Sequence, residues 1–186
     1  MTFPNLLSIL RMGLVPLFII ALVEGQPVRA LVLFLVAGVT DGLDGFIARF
    51  YGQQSHLGTF LDPMADKLLL TTAYVMLAMS APGGGFVIPI WVSILVIARD
   101  VLIVVVALVL LLALGVKRFL PAMIGKVTTA VQVVTVLLAL LARISPAFEI
   151  PALVGVYLTA GLTVASGFYY IYLASRMSEG PGPAAG

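Results

Sequence analysis

Six long apolar runs decide what this chain can fold into. They cover roughly residues 6 to 23, 29 to 49, 60 to 80, 86 to 114, 121 to 142 and 150 to 174. A helix needs about 20 residues to cross a hydrocarbon core about 30 Å thick, and these runs meet or approach that length. The breaks between them, EGQP, YGQQSH, SAPGGG, GVKRF and RISPAFE, are rich in turn residues. Only 10% of the 186 residues are charged and 62% are hydrophobic, whereas soluble domains carry roughly a quarter charged. With hydrocarbon as solvent, backbone polar groups must be satisfied within the segment, which selects helices. The chain therefore reads as an all-α integral membrane protein, one domain of six transmembrane helices over residues 1–176. The end, 177–186, containing EGPGPAAG, reads as a disordered tail.

Six spans place both termini on one side. That side would hold Arg11, Arg49, Lys67, Lys117, Arg118, Lys126 and Arg176 at or near helix ends, against mainly Arg29 and Arg143 opposite. The positive-inside rule makes it the cytoplasm, together with the 50 to 58 loop. The start, MTFPN, has no basic segment ahead of its apolar run and no small-residue cleavage pattern after it, so the first span is expected to stay in place. A net charge of +2 gives no general affinity for polyanions, and nucleic acid is not an expected partner. There is no cysteine and only one histidine, His56, in the polar loop. Disulfides, thiolate nucleophiles and thiolate zinc sites are thereby excluded, and any metal must be held by oxygen.

Four of the five aspartates, Asp41, Asp44, Asp62 and Asp66, fall within 26 residues. At 100° per residue, Asp41, Asp44 and Ala48 lie within about 60° of one another on a helix, and Asp62 and Asp66, spaced i and i+4, share a face of the next. Four gathered carboxylates repel and would take up protons unless a cation neutralised them, and hard divalent ions with oxygen ligands do that. The competing reading makes them solvated loop charges. Against it, the aspartates continue apolar helices while the intervening YGQQSH is almost uncharged, and ionisable groups inside a membrane are costly.

Gly42, Gly45 and Ala48 leave a strip without bulky side chains beside Asp41 and Asp44, against which a ligand can press. Arg49 follows with a fork suited to phosphate oxygens, and Gly58-Thr59 opens the next helix, whose unpaired N–H groups favour anions. A metal paired with a diphosphate is the chemistry implied. Each feature also has an ordinary reading: close helix packing for the small residues, snorkelling for Arg49, capping for Thr59. The combination is more specific than its parts.

The spacing D-x2-D-G-x2-A-R-x8-G-x3-D-x3-D is met at every position by Asp41, Asp44, Gly45, Ala48, Arg49, Gly58, Asp62 and Asp66. It resembles the CDP-alcohol phosphatidyltransferase family. The resemblance implies a six-helix protomer, usually a homodimer, that transfers a phosphatidyl group from CDP-diacylglycerol to an alcohol and releases CMP. Two Mg2+ or Mn2+ ions would be held by Asp41, Asp44, Asp62 and Asp66 and would bridge the diphosphate. Asp66 would also act as the base that takes the hydroxyl proton, with the alternative that it is a ligand only. Asp44, Gly45, Ala48, Arg49, Gly58 and Thr59 would line the CDP moiety.

FPNLLSILRMGLVP, LDPMADKLLL, Arg99-Asp100 and GKVTTAVQ extend the resemblance over most of the chain. They are similar to the branch that holds phosphatidylglycerophosphate synthases and single-domain cardiolipin synthases, enzymes of anionic phospholipid synthesis, which implies a bacterial inner membrane and an active site facing the cytoplasm. Glycerol 3-phosphate is the expected acceptor. Its phosphate would meet Lys126 and Arg99, with Arg176 and Arg11 behind them. Phosphatidylglycerol is the alternative acceptor, since ARDV and KVTTAVQ resemble the cardiolipin enzymes more closely. Each cation has a structural reading too: Arg99 as a partner of Asp100, Arg11 and Arg176 as head-group anchors, Lys67 as a snorkelling side chain. Trp91, Tyr169, Tyr170 and Tyr172 read as packing or interface belt. Gly155, Gly161, Ala165 and Gly167 would let helices approach within or between protomers. Two classes outside the family share single features: a membrane prenyltransferase, whose acidic motifs lie further apart, and a divalent-cation transporter, which explains the aspartates but not Ala48-Arg49 or Gly58.

Overall fold

The computed structural model describes residues 3–51, 58–79, 84–114 and 123–178; the side chains of 3–9, 41–51, 58–66, 107, 110, 111, 113, 114, 174 and 176–178 lie outside that description. Among the described residues there are six long helices: α1 (Phe3–Val23), α2 (Pro27–Tyr51), α3 (Gly58–Ala78), α4 (Ile90–Leu114), α5 (Met123–Ile144) and α6 (Glu149–Ser178). They match the six apolar runs. His56 and the end of the tail, 179–186, lie outside the described residues, and α6 continues two residues beyond the expected boundary at 176.

Local chemistry sets the helix ends. At the end of α1, Gly25 takes a φ of 68°, which glycine adopts without cost. The Gln26 amide reaches back to the Ala21 carbonyl (2.8 Å) and the Gly25 amide to that of Leu22 (3.2 Å), which is the Schellman pattern. Pro27 then opens α2, where its missing N–H is no loss. The fourth helix begins at Ile90 and not at 86 as its hydropathy suggested, because Pro89 fixes its own φ and pushes the residue before it out of the helical region. Residues 84–89 run without helix, tied down by the Ile88 amide on the Leu77 carbonyl (3.0 Å).

Arg143, in the last turn of α5, secures the same corner. Its Nε donates to the Phe86 carbonyl (2.9 Å) and its Nη2 to those of Leu77 (3.2 Å) and Met79 (3.0 Å), so one guanidinium binds α5 to the end of α3 and to the linker. Charge-assisted hydrogen bonds of this kind contribute about 1.5–3 kcal/mol. Arg143→Ala is therefore expected to lower the melting temperature in detergent by about 3–12 °C, at about 2–4 °C per kcal/mol for a chain of this size. Specific activity at 25 °C should persist.

The interior is partly polar and the exterior apolar. Phe18, Phe34, Leu77, Val92, Val136 and Val156 form a core with small residues such as Ala73 and Ala139. Through it runs a hydroxyl seam: Tyr74 donates to the Gln132 carbonyl (3.3 Å) and the Thr159 hydroxyl (3.4 Å), Thr135 and Thr159 lie 2.9 Å apart, and Ser93 donates to the Tyr74 carbonyl (2.9 Å). The seam joins α3, α4, α5 and α6. Gly155 makes the α5–α6 approach possible, since a Cβ there would stand 2.9 Å from Thr135 Oγ1, whereas Gly161 and Gly167 face open space. Outside, Ile90, Leu112, Ile150 and Phe168 are at least two-thirds exposed. An apolar surface on this scale marks an interaction with other molecules or a membrane. Two stretches among the described residues, Met123–Ile144 and Pro146–Leu173, are long and apolar enough by length and composition to cross a bilayer.

Candidate active site

All four aspartates of the motif stand on helices, Asp41 and Asp44 on α2, Asp62 and Asp66 on α3. That removes the reading of them as loop charges. Their side chains, with those of Gly45, Ala48, Arg49, Gly58 and Thr59, lie outside the described residues. Among the described residues no group of three or more acidic or histidine side chains could hold a metal.

Beside the aspartate-bearing part of α3 the structure opens a cavity of about 450 Å³, walled by Lys67 of α3, Arg99 of α4, Gly125, Lys126 and Thr129 of α5 and Tyr170 of α6. Three cations thus share one wall system. Lys126 and Arg99, expected to act together, are brought together. Arg99 is only 7% exposed and is held by three residues. Its Nη1 donates to Asp100 Oδ1 (2.8 Å), its Nε and Nη2 to Ser166 Oγ (3.2 and 3.0 Å), and its Cζ stands 5.9 Å from the Tyr170 ring centroid. These contacts hold the guanidinium fork in one orientation. Pairing with Asp100 and lining the cavity are not alternatives for Arg99; it does both.

Lys67 departs from expectation. Its ammonium is not directed to a lipid surface alone but lies 3.6 Å from Asp100 Oδ1, so a single carboxylate oxygen holds Lys67 and Arg99 at once. The physical reason is cost: a largely buried carboxylate and the two cations around it are cheaper together than apart. Arg11 is also corrected as a head-group anchor, for it is 1% exposed within the bundle and does not wall this cavity. The Arg176 side chain lies outside the described residues.

The structure adds three residues to this group. Tyr170, read as belt or packing, is 3% exposed beneath Arg99, while Trp91 and Tyr157, with centroids 6.4 Å apart, are exposed as a belt requires. Ser166 had no signal in the sequence. Gly125 did: it precedes Lys126, and a Cβ there would meet Tyr170 Oη at 2.6 Å and Arg99 Nη2 at 3.3 Å. A larger residue at this position would push the Tyr170 hydroxyl aside.

Residues 1–168 match the model of the family described as CDP-alcohol phosphatidyltransferase. The chain belongs to the CDP-alcohol phosphatidyltransferase family. Its similarity to a probable phosphatidylglycerophosphate synthase of Mycobacterium tuberculosis is 34% identity over 179 residues, 92% of this chain and 81% of that one. Human cardiolipin synthase (CMP-forming) is 42% identical over 104 residues, 55% of this chain but 33% of that protein. A CDP-diacylglycerol–glycerol-3-phosphate 3-phosphatidyltransferase of Haemophilus influenzae is 38% identical over 103 residues, 54% of each. The chain thus spans about a third to four-fifths of these relatives. Family membership sets aside the prenyltransferase and the cation transporter.

Proposed function

We propose that the protein transfers the phosphatidyl group of CDP-diacylglycerol to glycerol 3-phosphate, forming phosphatidylglycerophosphate and releasing CMP, as a homodimer that spans a bacterial inner membrane six times with both termini in the cytoplasm. The observation that carries the choice of acceptor is the cavity in which Lys67, Arg99 and Lys126 converge next to α3. A phosphate monoester dianion is the natural guest of three cations and one carboxylate. The apolar exterior of the helices supports the membrane placement.

The donor set suits two Mg2+ or Mn2+ ions, since Asp41, Asp44, Asp62 and Asp66 are all hard oxygen ligands and the chain has no thiolate to compete. Bound there, such ions would neutralise the diphosphate of the donor lipid. The chain's own residues do the rest. Arg49 and the N–H groups that open α3 at Gly58 and Thr59 hold the CDP phosphates. Lys126 and Arg99 hold the acceptor phosphate and so aim its hydroxyl at the phosphorus that bears diacylglycerol. As the new P–O bond forms, the bridging P–O bond to CMP breaks, and the hydroxyl proton passes to the Asp66 carboxylate. Positioning and charge stabilisation supply most of the rate, as in other phosphoryl transfers.

Phosphatidylglycerol is the second acceptor to weigh, favoured by Arg99-Asp100-Val101 and by the relatives named cardiolipin synthase. The deciding assay supplies CDP-diacylglycerol with either acceptor and identifies the lipid formed. Glycerol 3-phosphate is expected to give product with CMP release. With it, Lys126→Ala should raise the KM for glycerol 3-phosphate about 10–100-fold, from a lost charge-assisted contact of about 1.5–3 kcal/mol, with little change in the KM of the donor. An unchanged acceptor KM would remove Lys126 from the site.

A further inference from the structure

Two of the three cations that wall the first cavity are tied to one carboxylate, and that carboxylate is not part of the wall. Lys67, Arg99 and Lys126 line the space of about 450 Å³. Asp100 instead lines a second cavity, of about 170 Å³, to which Lys67 also contributes. Consecutive residues on a helix point about 100° apart. On α4 that turn leaves Arg99 at the first cavity and takes Asp100 to the α3 side, where Lys67 Nζ lies 3.6 Å from its Oδ1. The same oxygen accepts the Arg99 Nη1 hydrogen bond at 2.8 Å.

The two cations depend on Asp100 unequally. Arg99 has a second anchor, since its Nε and Nη2 both donate to Ser166 Oγ. The Lys67 side chain is 46% exposed, and its ion pair among the described residues is with Asp100. An ammonium on a flexible four-carbon stem has no fixed direction of its own, so the carboxylate selects its rotamer. Side-chain freedom that a guest must freeze on arrival is subtracted from its affinity. A carboxylate in the wall itself would repel a phosphate. Placed outside it, the carboxylate orders the cations and takes one N–H from each, leaving further donors for an anion.

We infer that Asp100 is a positioning residue for the acceptor, acting through Lys67 and Arg99 and not by contact with substrate. This role rests on the proposed use of glycerol 3-phosphate and adds to it the group that orients the cationic wall. Orientation and simple charge balance predict opposite signs. By charge alone, removing a carboxylate close to the site of a dianion tightens its binding. By orientation the same removal weakens it, because Lys67 is released and Arg99 keeps only Ser166 and the Tyr170 ring.

The experiment measures CMP release from CDP-diacylglycerol and glycerol 3-phosphate by the wild-type protein, Asp100→Asn and Asp100→Glu, with KM read separately for each substrate. Asp100→Asn, equal in shape, is expected to raise the acceptor KM about 10-fold, the scale of one charge-assisted contact, and to leave the donor KM unchanged. Asp100→Glu keeps the charge, so both cations stay paired, but sets the oxygens one methylene further out. It is expected to fall between the other two, with an acceptor KM raised about 3-fold. An acceptor KM that falls or stays the same in Asp100→Asn overturns the inference. So does a wild-type acceptor KM in Asp100→Glu, which decides the matter even where Asp100→Asn does not fold. A donor KM that rises as much as the acceptor KM also overturns it, since the carboxylate would then serve the bundle as a whole. A wild-type protein that forms no phosphatidylglycerophosphate from glycerol 3-phosphate sinks the proposed function and takes the inference with it; an active wild type with unaltered variants sinks the inference alone.

Discussion

Asp62→Asn is expected to lower turnover by at least about 10³-fold while the protein stays folded. The substitution keeps shape and removes one charge from a set of four, and groups aimed at charge developing in a transition state are each worth about 10²–10³. A carboxylate that also helps to hold a metal should exceed that range, because its loss weakens ion binding as well. Asp62 occupies the fifth position of α3, ahead of the buried run Leu69, Leu70, Ala73, Tyr74 and Leu77. Two measurements check this: CMP release at saturating substrates, and the melting temperature in detergent. The half-maximal Mg2+ concentration should rise in parallel with the loss of rate. A variant that turns over normally would end the metal-centre reading, and with it the proposed mechanism.

Much of the fold was legible because hydropathy is additive along a chain. Each helix is its own apolar run, and the breaks are written in residues with local effects, such as Gly25 with Pro27 or Pro89. Where hydropathy alone misjudged an end, at the start of α4, a proline explains the difference. The candidate site was legible in so far as it is local: two pairs of aspartates at helical spacing on consecutive helices. What could not be read was which polar residues meet across the bundle. Lys67 and Asp100 are 33 positions apart, and Arg99 and Ser166 are 67 apart, so no periodicity links them; helix rotation and crossing decide. The same limit explains Tyr170. An aromatic residue near the end of an apolar helix has the composition of an interface belt, and only the close approach of α5 at Gly125 turns it inward beneath Arg99. Gln132 is the intermediate case: its spacing from Thr128 and Thr135 puts it on the inner face of α5, but only packing shows that its Nε2 has no hydrogen-bond partner among the described residues.

Asp66→Asn separates two roles that the sequence leaves joined. As a base, Asp66 accepts the acceptor's hydroxyl proton, and such groups contribute about 10²–10⁴-fold. The asparagine amide cannot take that proton but remains a polar neighbour, so kcat should fall by that factor while the affinity for CDP-diacylglycerol changes little. As a pure metal ligand it would lose donor affinity and rate together. The adjoining residue makes the distinction measurable: Lys67 is held at 3.6 Å by Asp100, so the charge beside position 66 is anchored from α4 and need not move when the carboxylate becomes an amide. Donor binding can then be read by titration with CDP-diacylglycerol in the absence of acceptor, and the chemical step by single-turnover CMP release after acceptor is added. Retained binding with lost chemistry assigns Asp66 as the base. A fall in donor affinity of the same size as the fall in rate returns it to the metal ligands, and the proton must then leave by another route.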